Sequence, residues 1–206
     1  VTLRINIYDG IPYPYGWGVR KEPYPHGDAT QFTNRMPPPE PDLTEPIRFL
    51  NELYDMGIRL VNLTLANPYF NPFITRPYNS PVKGKSLPDE HPLVGIERFN
   101  TLTTKVKKHL PKDMFVIGSG YSLLRKFGAN YTAYQIKKGN IDFAGWGRMS
   151  FANPHFPKQI LIQNEIDDKN ACIACSKCTE LMRLKSVTGC VVRDRSTYIK
   201  HYNPKN

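Results

Sequence analysis

A strand-like run followed by a helix-like run, repeated four times, confines this chain to a parallel sheet covered by helices. Leu3, Ile5 and Ile7 alternate with polar neighbours over residues 2–8, a strand that stops at Asp9-Gly10. Asp42 or Thr44 caps a helix reaching about residue 56, with Ile47, Leu50, Leu53 and Tyr54 on one face and Gly57 at its end. Residues 60–65 form the second strand, and a helix over about 93–109 carries Leu93, Ile96, Phe99 and Val106. The third strand, 114–117, closes on Gly118-Ser119-Gly120; a helix near 129–138, a strand at 141–145 and a helix near 155–163 follow. Right-handed crossovers leave a barrel or a doubly wound sheet, and four such units make half of an eight-stranded barrel.

Two stretches interrupt this rhythm. Residues 9–42 hold Pro12, Pro14, Pro23, Pro25, Pro37, Pro38, Pro39 and Pro41, and residues 66–92 are also proline-rich. Proline at this density permits neither helix nor central strand, so both are long excursions, placed after strands one and two. Barrels carry their chemistry on loops in that position. Tyr13, Tyr15, Trp17 and Tyr24 are expected mainly to pack against the protein itself.

The chain has 28 Lys and Arg against 18 Asp and Glu, a net charge of +10. Its basic residues are scattered, and the densest group, Lys105, Lys107 and Lys108, falls at a helix end where cations suit the dipole. Small phosphate-bearing partners such as nucleotides or coenzyme A are therefore expected rather than nucleic acid. No apolar run approaches the roughly 20 residues of a membrane span. No signal peptide is expected, and a cytoplasmic location follows. A first strand without an initiator Met reads as a piece cut from a longer protein.

Residues 164–206 lack the strand–helix rhythm and hold every cysteine, in the spacing C-x2-C-x2-C-x11-C from Cys172 through Cys175 and Cys178 to Cys190. Two intervening residues let one turn of backbone aim two sulfurs at a single centre, and a distant fourth closes the cage. Soft thiolates suit an iron–sulfur cluster. Zinc also takes four thiolates, though usually as two separated pairs. Two disulfides would fit a secreted chain. On spacing, all three remain open.

Three further segments carry a resemblance: Leu3-Arg4-Ile5-Asn6, Phe115-Val116-Ile117-Gly118-Ser119-Gly120-Tyr121 and Phe143-Ala144-Gly145-Trp146-Gly147-Arg148. In this order, and ahead of the cysteines, they resemble the Old Yellow Enzyme family of NADH:flavin oxidoreductases. The likeness is to its iron–sulfur branch, which includes 2,4-dienoyl-CoA reductase, trimethylamine dehydrogenase and the 2-enoate reductases. The resemblance implies an α/β fold, the C-terminal half of a TIM (β/α)8 barrel. Residues 1–163 would be βα units five to eight, and 164–206 an irregular segment binding a 4Fe-4S cluster through Cys172, Cys175, Cys178 and Cys190.

It also implies FMN. Arg4 would approach the pyrimidine edge of the flavin, where a cation stabilises the anionic reduced ring. Ser119, Gly120, Tyr121, Gly147 and Arg148 would hold its phosphate through backbone N–H groups and one guanidinium fork. Tyr121 stands where many relatives carry Arg, leaving the N–H but one cation fewer. The implied activity is NAD(P)H-dependent reduction of an activated C=C bond in an enoate or enoyl thioester. No catalytic residue is assigned: Ala66-Asn67-Pro68-Tyr69-Phe70-Asn71 has no His where the dienoyl-CoA reductase has one. Structural roles are expected for Asn67 and Tyr69. The missing N-terminal half of the barrel would be the main partner, and the isolated piece would be inactive and inclined to pair with itself. The competing reading is a non-catalytic zinc or interaction module on a half-barrel.

Overall fold

The four predicted strands pair in chain order, all parallel. In the computed structural model, which describes residues 1–33 and 35–202, β1 (Thr2–Asn6), β2 (Leu60–Thr64), β3 (Phe115–Gly118) and β4 (Phe143–Ala144) form one sheet in the order 1-2-3-4. Between them lie α1 (Thr44–Asp55), the short α2 (Pro72–Thr75), α3 (Pro92–Lys107) and α4 (Gly128–Lys137). After β4 come α5 (Arg148–Ala152), α6 (Phe156–Gln163), α7 (Lys177–Arg183) and α8 (Arg195–Tyr198). The protein is thus mixed α/β with a parallel sheet compatible with half a (β/α) barrel. Its strand order lacks the reversal that a doubly wound sheet requires. No described helix is long and apolar enough to cross a membrane.

Two strands are shorter than the sequence predicts, each for a local reason. β1 ends at Asn6, whose side chain accepts the N–H of Tyr8 at 3.0 Å. β4 keeps only two residues, because the Asp142 carboxylate accepts the Val116 N–H at 2.7 Å in place of a ladder carbonyl. α7, α8 and the short α2 fall where the sequence shows no helical period; helices of four to seven residues are too short to display one.

The chain packs as two compact units, each discontinuous in sequence. The sheet unit comprises Val1–Pro77, Pro88–Gly120 and Gln135–Gly145; the cysteine unit comprises Tyr78–Leu87, Tyr121–Tyr134 and Trp146 onward. This partition does not follow the single cut after residue 163 that the sequence suggests.

In the sheet unit the two faces differ. Val61, Leu63 and Val116 point to one face and are fully buried, in a core shared with Leu50 and Leu53 of α1 and Ile96, Phe99, Leu102 and Val106 of α3. The opposite face carries Arg4 beside Asn62, Asn62 beside Ile117 and Ile117 beside Phe143. There Phe115 is 44% and Phe143 51% exposed, their rings edge to face at 6.1 Å. A parallel sheet ordinarily has both faces covered. This one has a face of charge, amide and exposed aromatic rings open to solvent.

The proline excursion after β1 folds back on its own strand. Asp9 accepts from the Trp17 N–H at 2.7 Å, Arg20 N–H donates to Glu40 O at 2.8 Å, and Asp42 N–H to Gly18 O at 3.0 Å. Tyr8 and Tyr24 donate their hydroxyls to the carbonyls of Pro39 and Pro37 at 2.7 and 2.6 Å. Tyr24 is buried as expected, whereas Tyr13 and Tyr15 remain exposed.

At the other end of the strands, the Lys107 ammonium lies 2.6 Å from the Asp142 carboxylate and donates to Met114 O at 3.0 Å. Asp142→Ala strands this ammonium and the Val116 N–H together. The expected loss is about 2–4 kcal/mol in urea unfolding, short of a fully buried pair because Asp142 keeps some solvent contact. A change below about 0.5 kcal/mol would show the pair to be incidental.

Candidate metal centre

Cysteines separated by two residues can converge only if the backbone between them curls, and here it does so by two left-handed residues. Ala174 has φ 52° and Ser176 φ 61°, in the run Cys172-Ile173-Ala174-Cys175-Ser176-Lys177-Cys178. Neither is glycine, so each costs on the order of 1–2 kcal/mol. Backbone that alternates in this way turns successive N–H groups inward and forms concavities that receive anions, iron–sulfur centres among them. The Ala174 N–H donates to Cys172 Sγ at 3.3 Å, and the Arg193 N–H to Cys190 Sγ at 3.3 Å.

Neighbouring segments hold this conformation in place. The Asn79 N–H and side-chain amide donate to Ala174 O and Ile173 O at 3.1 and 3.3 Å, and Ser176 Oγ donates to Ser80 O at 2.7 Å. The Lys83 N–H reaches the Glu180 carboxylate of α7 at 2.5 Å. The middle of the second proline-rich excursion is thus a brace for the cysteine loop. Arg193 fastens the fourth cysteine: its guanidinium donates to Ala171 O at 3.0 Å and Asp168 O at 3.4 Å, binding the Cys190 segment to the start of the cysteine run. Gly189, just before Cys190, admits no side chain, since a Cβ there would stand 2.0 Å from the Tyr198 ring.

All four cysteines line one cavity, with Phe151, Ser176 and the cations Arg148, Lys177 and Arg193; no carboxylate lines it. The four are free thiols. Burial pushes the Cys172 and Cys178 thiols up, and the Arg148 guanidinium draws both back down. Burial likewise lowers Arg148, which Cys172, Cys178 and Cys175 oppose. Three cations and no carboxylate make this a place for negative charge, and thiols, which burial holds toward the protonated form at Cys172 and Cys178, are the acids at hand.

The cavity measures about 20 Å³, little more than the room one water needs. Among the described residues no three His, Cys, Asp or Glu side chains close on a point as a single ion requires. Tetrahedral zinc would hold its sulfurs about 3.8 Å apart, from a Zn–S bond of about 2.3 Å. What suits a larger cluster here is the donor set, the charge and the curled backbone.

The residues expected to hold FMN fall in both units. In the sheet unit, Arg4 is exposed on the open face; its strand neighbour Asn62 accepts from Ser119 Oγ at 2.9 Å. Gly120 has φ 100°, a conformation suited to glycine, and leads out of β3. The ends of β3 and β4 are adjacent, the Gly145 N–H donating to Gly118 O at 2.7 Å. In the cysteine unit, the Tyr121 ring is buried 5.9 Å from that of Trp146, and the Met149 N–H donates to Ser122 Oγ at 3.1 Å. Tyr121 offers a main-chain contact at most, its side chain being part of the core. Gly147 is exposed with open space over its Cα. Arg148, expected to fork onto a phosphate, lines the cysteine cavity.

Asn67 carries the structural role expected of it, its Oδ1 accepting the Tyr69 N–H at 2.9 Å, whereas Tyr69 itself is 91% exposed. Sequence reasoning passed over Asn62, Asn71 and Arg193. Asn71 is fully buried and donates to Gly10 O at 2.6 Å, joining the loops after β1 and β2. For Asn62 the signal was available, a lone amide within Leu60-Val61-Asn62-Leu63. For the other two it was not. A separate cavity of about 170 Å³ in the first excursion is lined by Tyr13, Arg20, Tyr24, His26 and Glu40. No family model, curated protein or solved structure matches the chain.

Arg193→Ala releases two carbonyls and the tether of the Cys190 segment. Amide hydrogen exchange at 171–178 and 190–193 should speed up by about one to two orders of magnitude, as the loss of 1–3 kcal/mol implies, with the sheet unit unchanged. Unaltered exchange there would show that Arg193 does not hold the cage.

Proposed function

We propose that this chain is part of an FMN- and 4Fe-4S-dependent oxidoreductase, the C-terminal half of its barrel with the cluster segment attached. The observation that carries the reading is the cavity lined by all four cysteines and three cations, with no carboxylate, beside a backbone curled to receive an anion. The parallel sheet in consecutive order supports the barrel half.

When bound, FMN would supply hydride chemistry and the cluster single-electron transfer, with NAD(P)H as electron source and an activated C=C bond of an enoate or enoyl thioester as acceptor. The chain's own residues would do the holding. Cys172, Cys175, Cys178 and Cys190 would ligate iron, and the N–H groups of Ala174 and Arg193 would stabilise two of the thiolates. Ser119, Gly120, Tyr121, Gly147 and Arg148 would offer main-chain N–H groups to the flavin phosphate. Arg4 would place its charge at the pyrimidine edge, its position set by pairing with β2.

The open face of the sheet fits a barrel half whose partner strands lie elsewhere. Phe115 and Phe143 would then face the barrel interior. Alone in solution, the chain should bind a hydrophobic dye and self-associate, and Phe115→Ser with Phe143→Ser should reduce both. Dye binding unchanged in the double variant would remove this support.

Anaerobic reconstitution tests the reading. It predicts about four iron and four labile sulfide per chain, and loss of most of both in each Cys→Ser variant at 172, 175, 178 and 190. Stoichiometric zinc without iron would favour the zinc module instead. FMN should bind weakly, since half the pocket is absent.

A further inference from the structure

We propose that the surface around α7 docks an acidic protein partner. The basic residues, scattered along the chain, divide evenly between the two compact units, 14 in each. The acids do not: 13 Asp and Glu fall in the sheet unit and five in the cysteine unit. Nearly all of the net charge of +10 therefore belongs to the cysteine unit. A surplus of one sign on one compact body steers partners of the other sign toward it.

Within that unit the surplus gathers at α7. Lys177 opens the helix, Arg183 closes it, and Lys185 follows with a left-handed φ of 53°. The Lys185 N–H donates to Met182 O at 3.1 Å and the Ser186 N–H to Leu181 O at 3.2 Å. Glycine is the usual residue at that position of such a helix end, so a lysine is kept there against the backbone's preference. Glu180, the acid of α7, is already engaged: it accepts the Lys83 N–H at 2.5 Å and the Tyr202 hydroxyl. Those two bonds bring two further segments to α7, with Lys85 and Lys200 exposed two residues from the respective contacts. Exposed cations from three segments thus border a helix whose own carboxylate is taken.

Apolar side chains stand among them and select the occupant. Met182, Leu184 and Val187 are exposed, while Leu181 is fully buried. A seven-residue helix anchored by Leu181 is a fixed surface rather than a segment free to enter a membrane. A phosphate backbone offers apolar side chains nothing to contact, and a second copy carries the same positive surplus. Carboxylates around an apolar centre on a protein match this surface, with the mixed composition of protein interfaces. Cys178 belongs to α7 and lines the cysteine cavity, so a partner docked here sits beside that cavity. The surface is defined without reference to iron or flavin.

The test uses the full 206-residue chain and a fluorescent peptide in which a pair of leucines is flanked by runs of glutamate. Anisotropy over a salt series should show binding that weakens as salt rises. Arg183→Glu with Lys185→Glu should weaken it at least about tenfold. Lys105→Glu with Lys108→Glu, an equal change of charge on the sheet unit, should leave it within about twofold. Serine in place of the peptide's leucines should weaken binding to the wild-type chain, and Met182→Ser with Val187→Ser should erase that difference. Urea unfolding first shows that each variant is folded; Lys85→Glu with Lys200→Glu, on the flanking segments, carries the same test should the α7 pair fail. Absence of binding at low salt, or equal loss in the α7 and sheet-unit pairs, overturns the proposal. Phosphatidylserine vesicles or a single-stranded oligonucleotide binding more tightly than the peptide, and lost in the same α7 variants, would overturn it in favour of a membrane or nucleic acid.

Discussion

Half-buried Arg148, Lys177 and Arg193 gather at a cavity whose lining offers no carboxylate, so thiolates are the anions that can pair with them there. The arrangement of the cysteine unit follows from this pairing. Ala174 and Ser176 adopt left-handed backbone although neither is glycine, and the strain persists because the segment around Asn79 and Ser80 accepts and donates at every turn of the loop. Arg193 serves twice, with its N–H on the Cys190 sulfur and its guanidinium on the carbonyls that precede Cys172. A loop built in this way brings four cysteines to one cavity, with the short α7 the regular element between the third and the fourth.

The sheet unit obeys a different constraint. The strands are parallel and in consecutive order, and the buried residues Val61, Leu63 and Val116 mark the covered face. The other face is left with Arg4, Asn62, Phe115 and Phe143, a mixture of charge, amide and exposed aromatic rings. Such a surface is unusual on a parallel sheet, which ordinarily has both faces covered.

Much of this was legible in the sequence, because period-two and period-3.6 patterns need only a few residues to declare themselves. All four strands and the helices α1, α3, α4 and α6 lie within a few residues of their predicted places. The gathering of the four cysteines at one cavity was legible for a similar reason, the spacing of the first three being short. What the sequence concealed depends on contacts between distant residues. Nothing local marks Asn79 and Ser80 as braces for a loop about 95 residues away. Nothing local tells Arg193 from the other scattered basic residues, nor says that Arg148 turns to the sulfurs. β4 shrank to two residues because one carboxylate, on Asp142, displaced a ladder hydrogen bond, which no propensity scale anticipates.

Iron K-edge X-ray absorption on the anaerobically reconstituted chain tests the central claim most directly. The account predicts a first shell of sulfur around every iron, with neighbouring iron in the second, both abolished by Cys190→Ser. A first shell of nitrogen or oxygen, or isolated metal with no iron neighbour, would contradict it.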